Sequence, residues 1–319
     1  MKFNPGQLEV FAVVVECGSI RAAARRLGLT QPAVTYVVRE LERQAGAALL
    51  LRQTSGVVLT PLGESLHRRT LRLLEEWRQA QDELAQLRDG SSGSLRLAFS
   101  SGAAARVLAP ALDAFRQARP GVRLDIHELS LSDPRDLWKV GQYDFAVISE
   151  LDEPVDDQLD RQVLFRVPLQ VMARRNHPLA QARVLSELRD CLWLLPGYGQ
   201  RVIVDRMLAL CGEPPRQVMM VQSLYIALSL VRSTDALVLM SNVVLDDPQL
   251  AQTIVPLPLR ERLPQLRVSL VSQHMGGLTP AARQFAEGLL TVAQGSLTPA
   301  VAAGKRGRAV VKAPASRRP

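Results

Sequence analysis

Residues 18–60 constrain this chain more than any other stretch, because they hold two short helical patterns separated by a tight turn. Ser19 is a good N-cap for the first helix, since its hydroxyl can accept a hydrogen bond from a first-turn amide. Gly28 supplies the left-handed residue that ends this helix. Thr30 then caps the second helix, with Pro32 in its first turn. Apolar residues follow both caps at helical spacing, which predicts a helix-turn-helix.

The second helix presents a polar face near its N-terminus, where a helix-turn-helix contacts base edges in the major groove. Gln and Thr can bind base edges, and Arg can bind guanine or a phosphate. Residues 1–62 carry seven basic and four acidic side chains, which favours a polyanionic partner. An ordinary helical hairpin with a solvated polar face is the alternative. The residues that we expect to contact DNA are Arg21, Arg25, Gln31, Pro32, Thr35, Tyr36, Arg39, Arg52 and Ser55.

Two short strand patterns, 49–51 and 57–59, flank the turn Gln53-Thr54-Ser55-Gly56 and predict a wing; Thr60-Pro61 then caps another helix. The segments AAARRLGLTQPAVTYVVRELE and LLLRQTSGVVLTPLGE, in this order, resemble the LysR-type transcriptional regulators. The resemblance extends over about residues 4–295 and includes APALDAFRQARPGVRLDI, GQYDFAVI and RRNHPLA. It implies an α/β protein with an N-terminal winged helix-turn-helix rich in α-helix, a long linker helix and a two-lobed effector domain similar to periplasmic binding proteins.

The linker, 62–89, predicts one long helix with an apolar seam in alternating steps of four and three residues. At 1.5 Å per residue this helix spans roughly 42 Å, too long to bury its seam on a small winged domain. We therefore expect a homodimer through the linker helices, with packing on the chain's own C-terminal domain as the alternative. Pairing predicts an inverted-repeat site on double-stranded DNA. The seam comprises Leu62, Leu66, Thr70, Leu73, Trp77, Ala80, Leu84 and Leu87.

After a Gly/Ser hinge at 90–93, strand patterns alternate with helix patterns, which predicts parallel sheet covered by helices. The expected domains are a winged domain (1–61), the linker helix (62–89), an effector-binding domain (94–295) and a disordered basic tail (296–319). We assign lobe I to about 94–163 with 267–295, and lobe II to about 164–266. The expected helices of the effector domain are 101–119, 133–141, 202–210, 224–231 and 280–293, and its expected strands are 95–99, 122–129, 144–148, 169–173, 193–195, 218–221, 236–240 and 267–271.

Ligands of open α/β sheets bind at the carboxyl ends of strands, beside helix N-termini that favour anions. Each polar residue at these places is individually more typical of a helix cap than of a ligand contact. Taken with the resemblance, their convergence predicts an anionic small-molecule effector between the lobes. The expected effector-binding residues are Ser100, Ser101, Gly102, Ser149, Tyr198, Gln200, Arg201, Gln222 and Ser223.

Composition excludes several other classes. No run of 18 apolar residues and no signal peptide occur, so we expect a cytoplasmic protein with no membrane contact. The four His residues lack metal-ligand spacing, and we expect no metal and no cofactor. Cys191 and Cys211 are interpreted as structural thiols, with a redox role left open. The net charge of +8 comes mostly from residues 297–319, which hold six basic and no acidic side chains, so it does not itself indicate DNA binding.

The main hypothesis is an effector-responsive transcriptional regulator that is not an enzyme. The family resemblance further implies a homotetramer, and RNA polymerase is a candidate partner. One alternative is a constitutive repressor with a vestigial cleft. Another is an α/β enzyme or binding protein with an accessory DNA-binding domain, but the chain has no G-x-S-x-G elbow, P-loop or dinucleotide fingerprint.

Overall fold

The computed structural model describes residues 3–53, 56–89, 93–129, 140–152, 159–196, 215–221 and 223–296. Predictions for residues 54–55, 90–92, 130–139, 197–214, 222 and 297–319 lie outside these ranges. The helices of the described residues are α1 (Pro5–Cys17), α2 (Ile20–Leu27), α3 (Gln31–Ala45), α4 (Pro61–Asp89), α5 (Ser101–Ala118), α6 (Leu224–Ser233), α7 (Pro248–Thr253) and α8 (Pro280–Ser296).

The strands belong to a hairpin and to one large sheet. They are β1 (Leu50–Gln53), β2 (Gly56–Leu59), β3 (Ser94–Phe99), β4 (Arg123–Glu128), β5 (Phe145–Leu151), β6 (Asp160–Arg174), β7 (Leu192–Pro196), β8 (Gln217–Val221), β9 (Leu237–Ser241), β10 (Ile254–Pro256) and β11 (Gln265–Ser272). The hairpin pairs β1 with β2, and the large sheet runs β4-β3-β5-β11-β6-β9-β7-β8, with β10 also on β6.

The helices of the N-terminal domain begin and end where the capping residues predicted. Ser19 Oγ accepts a hydrogen bond from the amide of Ala22, and Thr30 Oγ1 accepts one from the amide of Ala33. Gly28 ends α2 with a φ of 66°. A single apolar core joins α1, α2, α3 and β1, with Phe11 fully buried at its centre.

Two glycines let the hairpin approach the helices on either side of it. The amide of Val57 donates to the carbonyl of Gly18, and a Cβ on Gly56 would lie 2.3 Å from that carbonyl oxygen. On the other side, a Cβ on Gly63 in α4 would lie 2.0 Å from the carbonyl oxygen of Leu49. Only glycine fits at such distances, so the wing is fixed against α1 and against the first turn of α4.

The effector domain has two lobes that share strand β6. In lobe I, β3 pairs in parallel with β4 and β5, and α5 and α8 cover a core that includes Phe99, Phe115 and Phe285. In lobe II, β7 pairs in parallel with β8 and β9. Strand β6 is antiparallel to β11 as far as Pro168 and to β9 from Leu169 onward.

The sequence predicted only residues 169–173 of β6, and it placed the lobe changeover at about 163/164. In the structure, β6 continues without a break across both lobes and exchanges its neighbours between Pro168 and Leu169. The short elements α7 and β10 were not predicted. None of the helices in the described part of the chain combines the length and the apolar character that a bilayer-spanning segment needs.

Candidate DNA interface and interlobe cleft

The N-terminal face of α3 is open to solvent. Gln31, Pro32 and Arg39 are exposed, and Tyr36 exposes 70% of its surface. Thr35 is half-buried, and its hydroxyl donates to the carbonyl of Gln31 over 2.9 Å. The Thr35 proton is therefore engaged by the helix, which leaves its methyl group and an oxygen lone pair for an approaching base edge.

The arginines around this face fall into two groups. Arg26 pairs with Glu16 over 2.8 Å, and Arg43 pairs with Glu40 over 2.5 Å. The hydrogen bond from Arg43 holds the pKa of Glu40 at about 2, below its usual range. These two pairs reduce the positive charge that the sequence suggested around the motif.

The second group consists of exposed arginines that have no ion-pair partner among the described residues: Arg21, Arg25 and Arg39. Their charge is available to a phosphate or to a base edge. The backbone of Arg52 lies in β1, but its side chain lies outside the described residues, as does Ser55. Of the predicted DNA-contacting residues whose side chains are described, Thr35 is half-buried and the others are exposed.

Helix α4 leads from this surface to the effector domain and has two unlike faces. Leu73, Trp77, Leu84 and Leu87 are exposed, each by more than half of its surface. Thr70, assigned to the same seam, is completely buried, and Leu66 packs against the N-terminal core. The seam is therefore exposed from Leu73 to Leu87 and again at Leu62, which exposes 45% of its surface, but not at Leu66 and Thr70.

The opposite face of α4 is polar and buried. Glu75, Arg78, Asp82 and Gln86 face lobe I, and Arg78 contacts Asp144 at the start of β5 with 2.6 Å between Nη2 and Oδ2. Burial raises the pKa of Asp144 to about 6. The apolar spacing along α4 does not predict this cluster, because its members lie on the other side of the helix.

Among the described members of the predicted effector-binding set, Ser100 lies beside Ser149, and Ser101 and Ser223 line one cavity. Ser100 caps α5 without a side-chain capping bond, and its hydroxyl lies 3.0 Å from that of Ser149. A Cβ on Gly102 would be 3.7 Å from the hydroxyl of Ser241, so the start of α5 faces the end of β9. The other expected members, Tyr198, Gln200, Arg201 and Gln222, lie outside the described residues.

A cavity of about 440 Å³ lies between lobe I and the start of α6. Its polar lining includes Ser101, His127, Glu128 and Ser223, and the rest is mainly apolar. The Ser101 hydroxyl donates to the Glu128 carboxylate. A carboxylate therefore already occupies the N-terminus of α5, where the sequence predicted an anionic ligand. The strand-end rule could have identified Glu128, because it is the last residue of β4.

One further contact spans the lobes near the cleft. Arg106 of α5 makes a bidentate ion pair with Asp246, which follows β9, at 2.7 and 3.0 Å. The guanidinium carbon also lies 5.4 Å from the centre of the Phe165 ring. No local pattern in the sequence marks this contact, because it depends on the relative placement of two distant segments.

The described His, Cys, Asp and Glu side chains indicate whether the protein could hold a metal ion or use a reactive thiol. Within it, no cluster of three or more His, Cys, Asp or Glu side chains is suited to hold a metal ion. Cys191 is half-buried, and burial raises the pKa of its thiol. A raised pKa lowers the thiolate fraction and opposes reactivity at this residue. Cys211 lies outside the described residues.

Two protein-family models match this chain. The model of the LysR substrate binding domain matches residues 88–294. The model described as "Bacterial regulatory helix-turn-helix protein, lysR family" matches residues 5–64. The chain belongs to the LysR family. The resemblance seen in the sequence is confirmed, and so is the expected architecture of a helix-turn-helix joined to a two-lobed α/β domain.

Individual LysR-family relatives are distant. The chain is 28% identical to the HTH-type transcriptional regulator TdcA of Escherichia coli (strain K12) over 189 residues, which span 59% of this chain and only 61% of TdcA. It is 27% identical to a probable nitrogen assimilation transcriptional activator of Synechococcus elongatus over 287 residues, covering 88% of this chain and 92% of the relative. The crystal structure of full-length CbnR complexed with its target DNA matches 91% of this chain and 100% of CbnR, with a TM-score of 0.61 and 21% identity, which supports the fold.

Proposed function

We propose that the protein is a transcriptional regulator that binds double-stranded promoter DNA and responds to a small-molecule effector. The observation that carries this proposal is the open face of α3, with Gln31, Tyr36 and Arg39 at the end that enters the major groove. Arg21 and Arg25, which have no ion-pair partner among the described residues, lie on the neighbouring α2 and supply charge for the flanking phosphates. Membership of the LysR family, whose named relatives are transcriptional regulators, supports the same function.

The active form that we propose is a homodimer joined through α4 and extended to a homotetramer through further contacts. The exposed seam from Leu73 to Leu87 is the support for the dimer, since side chains of this size are costly to leave in water. Two copies paired along α4 present two α3 helices to one duplex, which corresponds to an inverted repeat. RNA polymerase is a further proposed partner at the promoter.

We assign the effector to the cleft between the lobes. Because Glu128 occupies the N-terminus of α5, an anionic group of the effector is better placed beside Ser223 at the N-terminus of α6, with its apolar part along the cavity wall. The proposal includes a cytoplasmic location, no metal or cofactor, and no catalytic activity. The carboxylate at α5 also favours the constitutive repressor as a second candidate, since it repels an anion from that end of the cleft.

Selection of bound duplexes from a random DNA library, followed by footprinting at two salt concentrations, tests the DNA-binding function. We expect a motif with two half-sites in inverted order and a footprint that weakens steeply with salt, because phosphate contacts release counterions. Recovery of random sequences, with no motif, would contradict sequence-specific regulation. Thermal unfolding with a panel of small carboxylates and sulfonates separates the two candidates, because only the effector-responsive form gains stability from a ligand.

A further inference from the structure

The polar face of α4 is linked to lobe I at three separate places. Its four members, Glu75, Arg78, Asp82 and Gln86, follow helical spacing and so lie along one side of α4. All four are largely buried, with 4% of Glu75 and 3% of Gln86 exposed. Burying such side chains is costly unless they are hydrogen-bonded within the protein, and all four make such bonds, although Gln86 Nε2 has no partner among the described residues.

Arg78 is the centre of this face. Its guanidinium bonds to Glu75 and Asp82 on its own helix and to Asp144 and the carbonyl of Ser94 in lobe I. The Asp144 oxygen that accepts from Arg78 also accepts from the amide of Arg96 over 2.8 Å. The guanidinium therefore joins one helix to the starts of both β3 and β5.

Two further contacts fix the lower turns of α4. Asp82 accepts hydrogen bonds from the amide and from the hydroxyl of Ser94, at 3.0 and 2.9 Å. Gln86 accepts one from the amide of Ala281, in the first turn of α8, at 2.9 Å. The attachment thus extends from Glu75 to Gln86, about three helical turns at 3.6 residues per turn.

These contacts bypass the segment 90–93, which the sequence predicted to be a flexible hinge. While they hold, α4 cannot rotate relative to β3 and α8, whatever the conformation of the chain that connects them. Lobe II is joined to lobe I by different means, through the shared strand β6 and the pair of Arg106 with Asp246. The described contacts of the polar face go to α4 itself and to lobe I.

We propose that Arg78 is a positioning residue that makes α4 and lobe I one rigid body, so that the orientation of lobe I sets the spacing of the two α3 helices on DNA. This inference rests on the proposed regulatory function. A change in the angle between the lobes then reaches the DNA through the polar-face contacts, of which the Arg78 contacts are the centre. Removing the guanidinium leaves the buried Glu75 and Asp144 without their shared counter-charge, which loosens the attachment without touching the DNA-binding surface.

The test combines hydrogen exchange with DNA bending in the full-length protein. Arg78→Gln is compared with Arg68→Gln, an exposed arginine on the same helix, and with Arg78→Lys, whose ammonium cannot bond to all of these carboxylates at once. We expect Arg78→Gln to accelerate exchange of the Ser94 and Ala281 amides at least tenfold and to change the bend of the selected duplex, with the affinity for a single half-site unchanged. Arg78→Lys should fall between wild type and Arg78→Gln.

Wild-type exchange and wild-type bending in Arg78→Gln would overturn the proposal. If this variant does not fold, Asp82→Asn gives the same decision, because it weakens the Arg78 contact while still accepting a bond from Ser94. Unchanged exchange at the Ala281 amide together with unchanged DNA bending in that variant would again overturn the rigid attachment. Failure of the wild-type protein to select any DNA motif would refute the proposed function instead, and the exchange measurement would still decide whether α4 and lobe I move together.

Discussion

The two faces of α4 reverse the usual distribution of residues in a globular protein. The apolar face, with Trp77, Leu84 and Leu87, is exposed, whereas the charged face around Arg78 is buried against lobe I. Burial of charge is costly and contributes specificity of orientation more readily than stability, while exposed apolar surface of this size indicates a missing partner. One helix therefore carries two kinds of surface: a directional polar one that contacts lobe I, and an exposed apolar one where we propose that a second copy binds.

The largest effect is expected on the apolar face. Trp77→Asp places a charge in the centre of the exposed seam and should weaken dimerisation by roughly 4 kcal/mol, about three orders of magnitude. Sedimentation equilibrium over a range of protein concentrations measures this change. Trp77→Phe keeps the apolar surface and should remain dimeric. A dimer of unchanged affinity in Trp77→Asp would show that α4 does not supply the interface.

The polar face should respond to pH. Burial raises the pKa of Asp144 to about 6, so the folded chain holds this proton more tightly than the unfolded chain does. Stability contributed by this proton is present below the unfolded pKa of about 4 and is lost as the pH rises to about 6.

Asp144→Asn should remove this pH dependence, which amounts to roughly 1–3 kcal/mol between pH 4 and pH 7. Chemical denaturation at a series of pH values provides the measurement. Asp113→Asn, at an exposed carboxylate on α5, should retain the wild-type slope. An identical slope in Asp144→Asn would mean that Asp144 does not titrate in this range.

In the DNA-binding domain, some side chains form ion pairs within the chain, whereas others are exposed and have no such partner among the described residues. Gln31→Ala should relax sequence preference by roughly 1–3 kcal/mol at individual base pairs, because Gln31 lies at the N-terminus of α3. Arg21→Ala should weaken binding to all sequences more evenly and reduce the salt dependence by about one counterion. Arg26→Ala should have less effect, since Arg26 is paired with Glu16. Equal losses on specific and random duplexes for Gln31→Ala would remove its assigned role in base recognition.

The smallest effect concerns the cleft. Glu128→Gln removes a negative charge beside Ser101, and two charges about 4 Å apart in water interact by about 1 kcal/mol. We therefore expect small carboxylates to stabilise this variant more than wild type, with an apparent affinity about fivefold higher in thermal-shift titrations. Glu128→Asp, which keeps the charge, should behave as wild type does. Weaker carboxylate binding in Glu128→Gln would show that Glu128 assists the effector.

The sequence predicted the elements whose determinants are local. The caps Ser19 and Thr30 and the left-handed Gly28 fix α2 and α3 within a few residues, and the long periodic pattern fixes α4. Most of strand β6 was missed because its length depends on antiparallel pairing with β11 and β9, which lie far along the chain. Pairing with such distant strands produces no periodic pattern in the sequence of β6 itself.

The residues of the candidate sites also differ in whether local sequence could predict them. The exposed face of α3 follows from helical geometry, so Gln31, Tyr36 and Arg39 were predictable. The ion pair between Arg78 and Asp144 joins residues 66 positions apart, and no local pattern marks either partner. Glu128 lies at the carboxyl end of β4, so its position was predictable from the sequence. It was not predicted as a cleft residue, because a carboxylate does not attract the anionic ligand that was expected there.

The most direct test of the central claim, that the apolar face of α4 brings two recognition helices onto one duplex, is footprinting of wild type and Trp77→Asp on the selected DNA. Wild type should protect two half-sites related by a dyad. Trp77→Asp should need a far higher protein concentration and lose the simultaneous protection of both. A symmetric footprint at the same concentration for both proteins would contradict the claim.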